Sequence, residues 1–333
     1  MPRWVVNDGA DVSAPESRRP LDPTAYGLML ILCACWGLQQ VAVKVATVGI
    51  SPLLQGGIRS IVATSLLVGW IAARRIPVFT RDGTLGAGLI AGALFAAEFM
   101  FIYAGLGYTT ASRMVVFVYL APVVTALGVH WLVPGERLKP AQWVGVTLAF
   151  AGIVVAFGDG FWSSASSAVS TAGSIAASTT AASTAASATA ASTLLGDAFG
   201  VIAAILWAVT TLVIRATRLG HASAEKTLLY QLGISAIALP MASFAFGERG
   251  ITHVTPLIVA SMIYQSAVVA FASYLAWFWL LTRYLAGRLS VFAFMTPLFG
   301  VLFGIVLLGE HVSALFAVAA VMVGAGIALV NRK

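Results

Sequence analysis

The chain has 333 residues, of which 60% are hydrophobic and only 9% are charged, against roughly 25% charged residues in an ordinary soluble domain. This composition excludes a water-soluble enzyme, a disordered chain and a fibrous repeat, and the continuous apolar runs indicate a polytopic helical membrane protein. The net charge of +7 is typical of loops rich in Lys and Arg. Since no basic cluster is interleaved with aromatic residues, no nucleic-acid partner is expected.

Ten apolar segments have the length of about 20 residues that crosses a bilayer core. They follow a polar N-terminal tail, 1–25, and precede a short C-terminal end, 331–333. We therefore predict an all-α polytopic membrane protein of ten transmembrane helices, with the lipid bilayer as its surroundings. The predicted helices cover 26–47, 52–73, 84–105, 113–133, 140–157, 197–217, 224–246, 257–281, 288–308 and 312–330.

The placement of cations predicts the orientation of these helices. If the N-terminus is cytoplasmic, 15 of the 19 Lys and Arg residues fall on the cytoplasmic side and 4 elsewhere. Membrane proteins concentrate Lys and Arg in cytoplasmic loops. Both termini are therefore expected in the cytoplasm, and the protein in the bacterial inner membrane.

An unusual segment, 158–196, lies between the fifth and sixth predicted helices. It is dominated by Ala, Ser and Thr and carries no charge between Asp159 and Asp197. Because Leu, Ile and Phe are scarce, and because an eleventh helix would place Arg332 and Lys333 outside, we predict a flexible periplasmic linker.

This segment separates two similar halves, 26–157 and 197–330. In each half a Trp precedes a cation by eight residues, then an Arg precedes a Pro by nine, then Gly-Glu closes a helix. The matched pairs are Trp36–Lys44 with Trp207–Arg215, Arg113–Pro122 with Arg288–Pro297, and Gly135–Glu136 with Gly309–Glu310. Since each half holds an odd number of helices, the second half enters the membrane from the opposite side. The pattern predicts two inverted-topology five-helix repeats, with alternating access to a site near the midplane.

These motifs resemble those of the drug/metabolite transporter superfamily, EamA type. The residues that carry the resemblance are Trp36-Gly37, YTTASR at 108–113, GERLKPAQW at 135–143 and GRLSVFAFMTPLFGVLFGIVLLGE at 287–310. The resemblance implies a carrier of small organic metabolites, often an exporter, and within the superfamily it is greatest to the bacterial aromatic amino acid exporter group.

Two helix faces carry polar residues beside an aromatic ring. Trp36, Gln39 and Gln40 share one face of the first predicted helix, because they are spaced i, i+3 and i+4. The equivalent face of the sixth helix carries Trp207, Thr210 and Thr211. We predict that both faces line the substrate path; the alternative is interhelical polar packing.

A second pair of faces is aromatic. In the third helix Phe99 and Tyr103 lie beside Glu98, and the eighth helix carries Ser273, Tyr274, Trp277 and Phe278. Together these residues could form an aromatic box for an apolar side chain or an ammonium group. Ordinary helix packing is the alternative.

Glu98 is the only acidic residue in the interior of a predicted span, since the others fall in tails, in loops or at span ends. Three interpretations stay open. It could bind a substrate ammonium, exchange protons as a coupling site, or pair with an internal cation such as Arg59 or Arg113.

Two prolines, Pro122 and Pro297, lie within predicted helices. Each removes a helical hydrogen bond and frees a carbonyl four residues earlier. A bent helix at this depth suits gating, and Tyr119 and Phe294, which are equivalent in the two halves, would line the cavity. A static kink is the alternative.

No enzyme class fits the sequence, because no dinucleotide or phosphate loop and no mid-helix nucleophile–base pair is present. No cofactor and no metal are expected. The favoured function is a secondary transporter, exporter or facilitator, of amino acids including apolar or aromatic ones. An exchanger of phosphorylated or nucleotide-linked metabolites is the alternative, and a membrane receptor or scaffold is a distant one. The oligomeric state stays open, with a monomer as one option.

Overall fold

The structure is a computed structural model that describes residues 22–132, 138–172, 179–284, 289, 292 and 295–330. These residues form a helical bundle. Among them, the strand-like pairing is limited to one isolated antiparallel bridge between Ile50 and Ile251. Residues 1–21 and 331–333, which the sequence predicts to be cytoplasmic ends, lie outside the described residues.

The first half of the chain forms six helices. They are α1 (Pro23–Thr47), α2 (Pro52–Arg74), α3 (Leu85–Gly105), α4 (Ala111–Val118), α5 (Ala121–Leu132) and α6 (Pro140–Ala172).

The second half forms α7 (Thr179–Ala216), a short 3₁₀ turn (Arg218–His221), α8 (Ala224–Ala245) and α9 (Pro256–Ile263). A π-helix (Tyr264–Ser273) joins α9 to α10 (Tyr274–Arg283), and the described chain closes with α11 (Met295–Leu308) and α12 (Ala314–Val330).

Local sequence signals explain several helix ends. The Asp22 carboxylate accepts a hydrogen bond from the Ala25 amide at the start of α1, and the Thr255 hydroxyl accepts one from the Ile258 amide at the start of α9. In both helices a proline follows the capping residue, where its missing N–H costs nothing. Helix α2 ends at Arg75, whose left-handed backbone (φ 52°) stops the helix.

Within the described residues, eight segments are apolar and long enough to cross a membrane by length and composition, and α11 and α12 are shorter apolar helices. Many of their large aliphatic side chains face outward, as at Ile31, Leu89, Val154 and Val321. An outward-facing apolar surface suits lipid and not water. The prediction of an all-α, multi-pass membrane protein is confirmed.

Helix pairing follows the internal repeat. In the two halves α1 corresponds to α7, and α11 corresponds to α4 and α5; α1 packs on α11, and α7 packs on α4 and α5. Likewise the π-helix corresponds to α3, and α2 corresponds to α8; the π-helix packs on α2, and α3 packs on α8. Two further pairs join equivalent helices directly, α2 with α8 and α6 with α12. Exchanging the two halves leaves these pairs unchanged, as two five-helix repeats require, whereas the additional contact between α6 and α7 has no comparable counterpart between α12 and α1 among the described residues.

The backbones of α6 and α12 approach each other closely. A Cβ added at Gly145 would lie 2.8 Å from the Gly326 carbonyl oxygen, and one at Gly326 would lie 2.6 Å from the Gly145 carbonyl oxygen. Small residues at such a crossing allow the van der Waals contact that drives helix association in lipid.

The fourth predicted span is interrupted near Pro122. Residues Tyr119 and Leu120 separate α4 from α5, and Pro122 is the second residue of α5. Pro297 is the third residue of the described part of α11. Two features were not anticipated from the sequence: the π-helix, and Pro240 inside α8, which packs against Gly57.

The prediction of a flexible linker over 158–196 is wrong for most of that segment. Helix α6 continues to Ala172, and α7 begins at Thr179. The physical reason is the alanine content, because alanine has the highest intrinsic helix propensity. Residues 173–178 lie outside the described residues.

Candidate functional site

A buried arginine lies among aromatic rings between α2, α3 and α10. Arg59 is fully buried on α2. Its guanidinium carbon lies 4.2 Å from the centroid of the Phe99 ring, and its Nη2 donates a long hydrogen bond of 3.5 Å to the Tyr274 hydroxyl. The cation therefore lies over the ring face, in the geometry of a cation–π interaction.

The neighbouring carboxylate belongs to Glu98, which is 5% exposed and lies one residue before Phe99. Arg59 and Glu98 attract each other electrostatically, yet Glu98 takes part in none of the three salt bridges found among the described residues. Of the three interpretations of Glu98, direct pairing with Arg59 or Arg113 is therefore not what the structure shows.

Several buried polar atoms have no hydrogen-bond partner among the described residues. They are Nε and Nη1 of Arg59, Oε2 of Glu98, Oε1 of Gln40 and Oγ1 of Thr296. Buried polar atoms are nearly always hydrogen-bonded, and each one left unpaired costs free energy. The two free donors of Arg59 and the free acceptor of Glu98 are thus available to a bound molecule. We call Arg59, Glu98, Phe99 and Tyr274 the central cluster.

A chain of amides lies next to the central cluster. The Tyr103 hydroxyl donates to Oε1 of Gln265 (2.7 Å), and Nε2 of Gln265 donates to Oε1 of Gln55 (2.9 Å). Nε2 of Gln55 then donates to the Val43 carbonyl and to the Thr47 hydroxyl, each at 3.3 Å. The chain joins α3, the π-helix, α2 and α1. Gln55 and Gln265 were not predicted as site residues, although two amides inside apolar segments are a usable signal.

The tryptophan of the first helix is held by the eighth predicted span. Nε1 of Trp36 donates to the Ser273 hydroxyl at 2.9 Å, and the ring meets Trp277 edge-on at 5.8 Å. Ser273 in turn donates to the Val269 carbonyl. Trp36, Ser273 and Trp277 were predicted as parts of two separate faces, and the structure brings them together.

The tryptophan of the sixth predicted span has a different neighbour. Trp207 meets Tyr119 edge-on, with ring centroids 5.4 Å apart. The Thr210 and Thr211 hydroxyls donate to carbonyls of their own helix, at Leu206 and Trp207. These hydroxyls remain available only as acceptors, so the two halves are not chemically equivalent here.

The predicted aromatic box is thus divided. Phe99 and Tyr274 meet at Arg59, Tyr103 belongs to the amide chain, and Trp277 pairs with Trp36. Gln39 is buried on α1 beside Gln40. The Phe278 side chain and all of Phe294 lie outside what the structure describes.

A second charged cluster joins the two halves at the start of α4. Arg113 binds Asp197 through Nε (3.1 Å) and Nη2, and binds Asp159 through Nη1 (3.1 Å). The Thr109 hydroxyl donates to Asp197 at 2.8 Å, and the Ser313 hydroxyl donates to Asp159. All three charged residues are buried. Asp159 was assigned to the predicted linker and Asp197 to the start of the sixth predicted helix; they lie within the extended helices α6 and α7.

Two glutamates cap helices of the opposite half. Glu310 accepts hydrogen bonds from the amides of Ala111 (2.7 Å) and Ser112 (3.0 Å) at the start of α4. Glu248 accepts from the amides of Leu53 (3.0 Å) and Leu54 (3.1 Å) at the start of α2. A carboxylate at a helix N-terminus is favoured by the helix dipole and satisfies free amides. Glu310 therefore caps a helix of the opposite half, whereas the sequence predicts only that Gly309–Glu310 closes its own helix.

The two-repeat bundle with a polar centre has the architecture of a secondary transporter. The chain belongs to the EamA-like transporter family, whose pattern matches residues 23–158 and 194–332. The two matched stretches correspond to the two halves, so the resemblance noted from the motifs is confirmed.

Curated relatives agree with this class. An uncharacterized transporter of Archaeoglobus fulgidus is 24% identical over 92% of this chain and 96% of its own length. A probable amino-acid metabolite efflux pump of Salmonella typhimurium is 23% identical over 90% of this chain and 92% of its own length, and one of Escherichia coli is 22% identical over the same shares.

A protein of known crystal structure is 18% identical and superposes with a TM-score of 0.61, covering 92% of this chain and 97% of that chain. This similarity shows the shared fold.

Proposed function

We propose that the protein is a secondary carrier of zwitterionic amino acids, with a preference for apolar or aromatic side chains. The observation that carries the proposal is the central cluster, in which Arg59 and Glu98 are buried, opposite in charge and not in salt-bridge contact. A free amino acid presents a carboxylate and an ammonium on one carbon, and it would satisfy both groups at once.

The roles follow from hydrogen-bonding chemistry. The guanidinium of Arg59 has only donors, so its unpaired Nε and Nη1 would take the substrate carboxylate. Oε2 of Glu98 is an acceptor, so it would take the ammonium. Charged groups buried without partners are costly, and a substrate of matching charges removes that cost.

The surrounding rings suit an apolar side chain. Trp36 pairs with Trp277 and is hydrogen-bonded to Ser273, the residue before Tyr274, and Tyr119 pairs with Trp207. Aromatic rings bury large apolar areas and stack on other rings. Aromatic and branched aliphatic amino acids are therefore the expected substrates, a proposal that the names of the two bacterial relatives also support.

Alternating access would be produced by rocking of the two repeats about the central cluster. The interruption between α4 and α5 supports this proposal, since a broken helix can move as two pieces. We further propose the bacterial inner membrane as the location, with both termini cytoplasmic, because of the distribution of Lys and Arg. Labelling of single cysteines placed at the two ends of the chain in intact cells tests this orientation.

The test of function is efflux from proteoliposomes. Vesicles containing the purified protein are loaded with radiolabelled phenylalanine, leucine or a sugar phosphate, and release is measured with and without a pH gradient. The proposal is supported if wild type releases both amino acids, Arg59→Gln does not, and Arg74→Gln still does. Arg74 is a suitable control because it is an exposed cation whose guanidinium lies over the Trp70 ring. Release of the sugar phosphate alone would contradict it in favour of the phosphorylated-metabolite exchanger.

A further inference from the structure

A cavity of about 500 Å³ lies at the end of the bundle where α1 finishes. Its polar lining consists of Lys44, Thr110, His253, Thr255 and Glu310, and its other walls are aliphatic side chains of α1, α9 and α11. Binding sites for small molecules typically have volumes of about 300–1,000 Å³. None of the lining residues belongs to the central cluster, so this is a separate place in the fold.

Lys44 lines the cavity without a protein partner. It is half-buried on the last turns of α1, and among the described residues it makes none of the hydrogen bonds or salt bridges of the structure. It interacts with Glu310 only electrostatically. A cation at this depth is costly unless something compensates it. Its ammonium therefore has three donors available to a ligand.

Two threonine hydroxyls add donors on the same cavity. Thr110 accepts a hydrogen bond from the Arg113 amide (3.2 Å), and Thr255 accepts one from the Ile258 amide (3.3 Å). Each hydroxyl is thus used as an acceptor by its own helix and keeps its O–H as a donor. Both residues are N-caps, so the positive ends of α4 and α9 also meet here.

Glu310 supplies a fixed negative charge. Oε1 accepts from the Ala111 amide, and Oε2 accepts from the amide and the hydroxyl of Ser112. These bonds hold the carboxylate in place. Its oxygens retain further lone pairs for a cationic donor.

We propose that this cavity is a second amino acid site, at which the substrate waits before entering or after leaving the central cluster. The inference rests on the proposed function. The carboxylate binds Lys44 and the two threonine hydroxyls, the ammonium faces Glu310, and the side chain lies on the aliphatic wall. The cavity thus repeats the charge pair of the central cluster, one cation and one carboxylate that are not in contact.

The test is equilibrium binding of radiolabelled phenylalanine to the full chain in phosphatidylcholine nanodiscs. Wild type is expected to bind two molecules, Arg59→Gln and Lys44→Gln one each, and the double variant none. Lys44→Arg should restore the second molecule, because it keeps the charge, and Arg74→Gln serves as the control that leaves both sites intact.

Transport provides an independent readout. When substrate enters from this end, Lys44→Gln should raise KM by about tenfold or more, since charge-assisted hydrogen bonds are lost. The maximal rate should stay near that of wild type, because the central cluster is unchanged. A fall in maximal rate with constant KM would overturn the waiting site.

The binding measurements distinguish failure of the second amino acid site from failure of the proposed function. If wild type binds one molecule and Arg59→Gln binds none, the second site is wrong and the proposed function stands. If wild type binds no amino acid, both are wrong. A second set of nanodiscs contains labelled phosphatidylglycerol. If Arg59→Gln binds no phenylalanine but binds phosphatidylglycerol in a Lys44-dependent way, the cavity holds an anionic lipid headgroup, and the amino acid site is wrong.

Discussion

The guanidinium of Arg59 lies 4.2 Å above the ring of Phe99, the residue that directly follows Glu98 on α3. The ring holds the cation from one face and leaves Nε and Nη1 without a protein acceptor in the described part of the chain. A ring can position a charge without using its hydrogen-bond donors. In an ion pair, by contrast, a carboxylate would occupy the hydrogen-bond donors of the guanidinium.

Replacing Phe99 by Leu should weaken substrate binding without abolishing it. The ring contributes a cation–π interaction of about 0.5–2 kcal/mol, so the apparent Kd for phenylalanine should rise by roughly two- to thirtyfold. Scintillation proximity on purified protein measures it. The control Phe79→Leu changes a ring in a loop that is 92% exposed and should have no effect.

Glu98→Gln tests proton coupling. The substitution keeps the shape and removes the titrating group, so if Glu98 carries protons, efflux should no longer respond to a pH gradient. Efflux from proteoliposomes at equal internal and external pH is compared with efflux against a gradient. If wild type transports equally fast in both conditions, the protein is a facilitator and the coupling role is wrong.

Arg113→Ala should strongly destabilise the protein. It would leave Asp197 and Asp159 buried with only hydroxyl partners, and breaking a buried ion pair from one side costs about 3–5 kcal/mol. Thermal unfolding in detergent can be followed by the reaction of a thiol-specific fluorophore with the buried Cys33. Asp197→Asn should cost less, because Arg113 keeps Asp159 and the Ala156 carbonyl. The exposed Arg74→Ala provides the control; an equal loss there would contradict the prediction.

The loop after α2 should make stability depend on pH. Lys226 and the Thr84 hydroxyl, both hydrogen-bonded to Asp82, hold the pKa of this carboxyl below its ordinary value of 3.8. A lowered folded-state pKa stabilises the protein above pH 3.8, and this stabilisation is lost as pH falls through the folded value.

Asp82→Asn should therefore lower the unfolding temperature at pH 7 by a small amount, since the carboxyl is partly exposed. The difference from wild type should shrink in scans run progressively below pH 3.8. A difference that is constant over this range would show that the Asp82–Lys226 pair does not carry the effect.

The sequence was sufficient to predict each apolar helix, because membrane-spanning segments are recognisable from their length and their continuous high hydropathy. Each predicted span falls on at least one helix, from Pro23–Thr47 to Ala314–Val330. The repeat was also readable, since Trp36 and Trp207, and the two Arg–Pro pairs, recur at matched spacing.

The ion-pair and hydrogen-bond partners of the polar residues could not be predicted from the sequence in this way. Arg113 was considered a partner for Glu98, but it binds Asp159 and Asp197, which the sequence places at the ends of a segment whose conformation was misjudged. Hydropathy cannot reveal such pairs, because they join residues 46 and 84 positions apart. The amides of Gln55 and Gln265 went unnoticed for a related reason: single polar residues do not alter the mean hydropathy of a helix.

The wide turns of the π-helix make this segment sensitive to the deletion of a residue. Trp36 and Arg59 reach Ser273 and Tyr274 only beyond those turns. Removing one residue from the middle of the π-helix would let the segment wind as an ordinary α-helix, which has a larger rotation per residue. The positions of Ser273 and Tyr274 opposite both side chains depend on this winding, so a single-codon deletion here should be more damaging than a substitution at the same position.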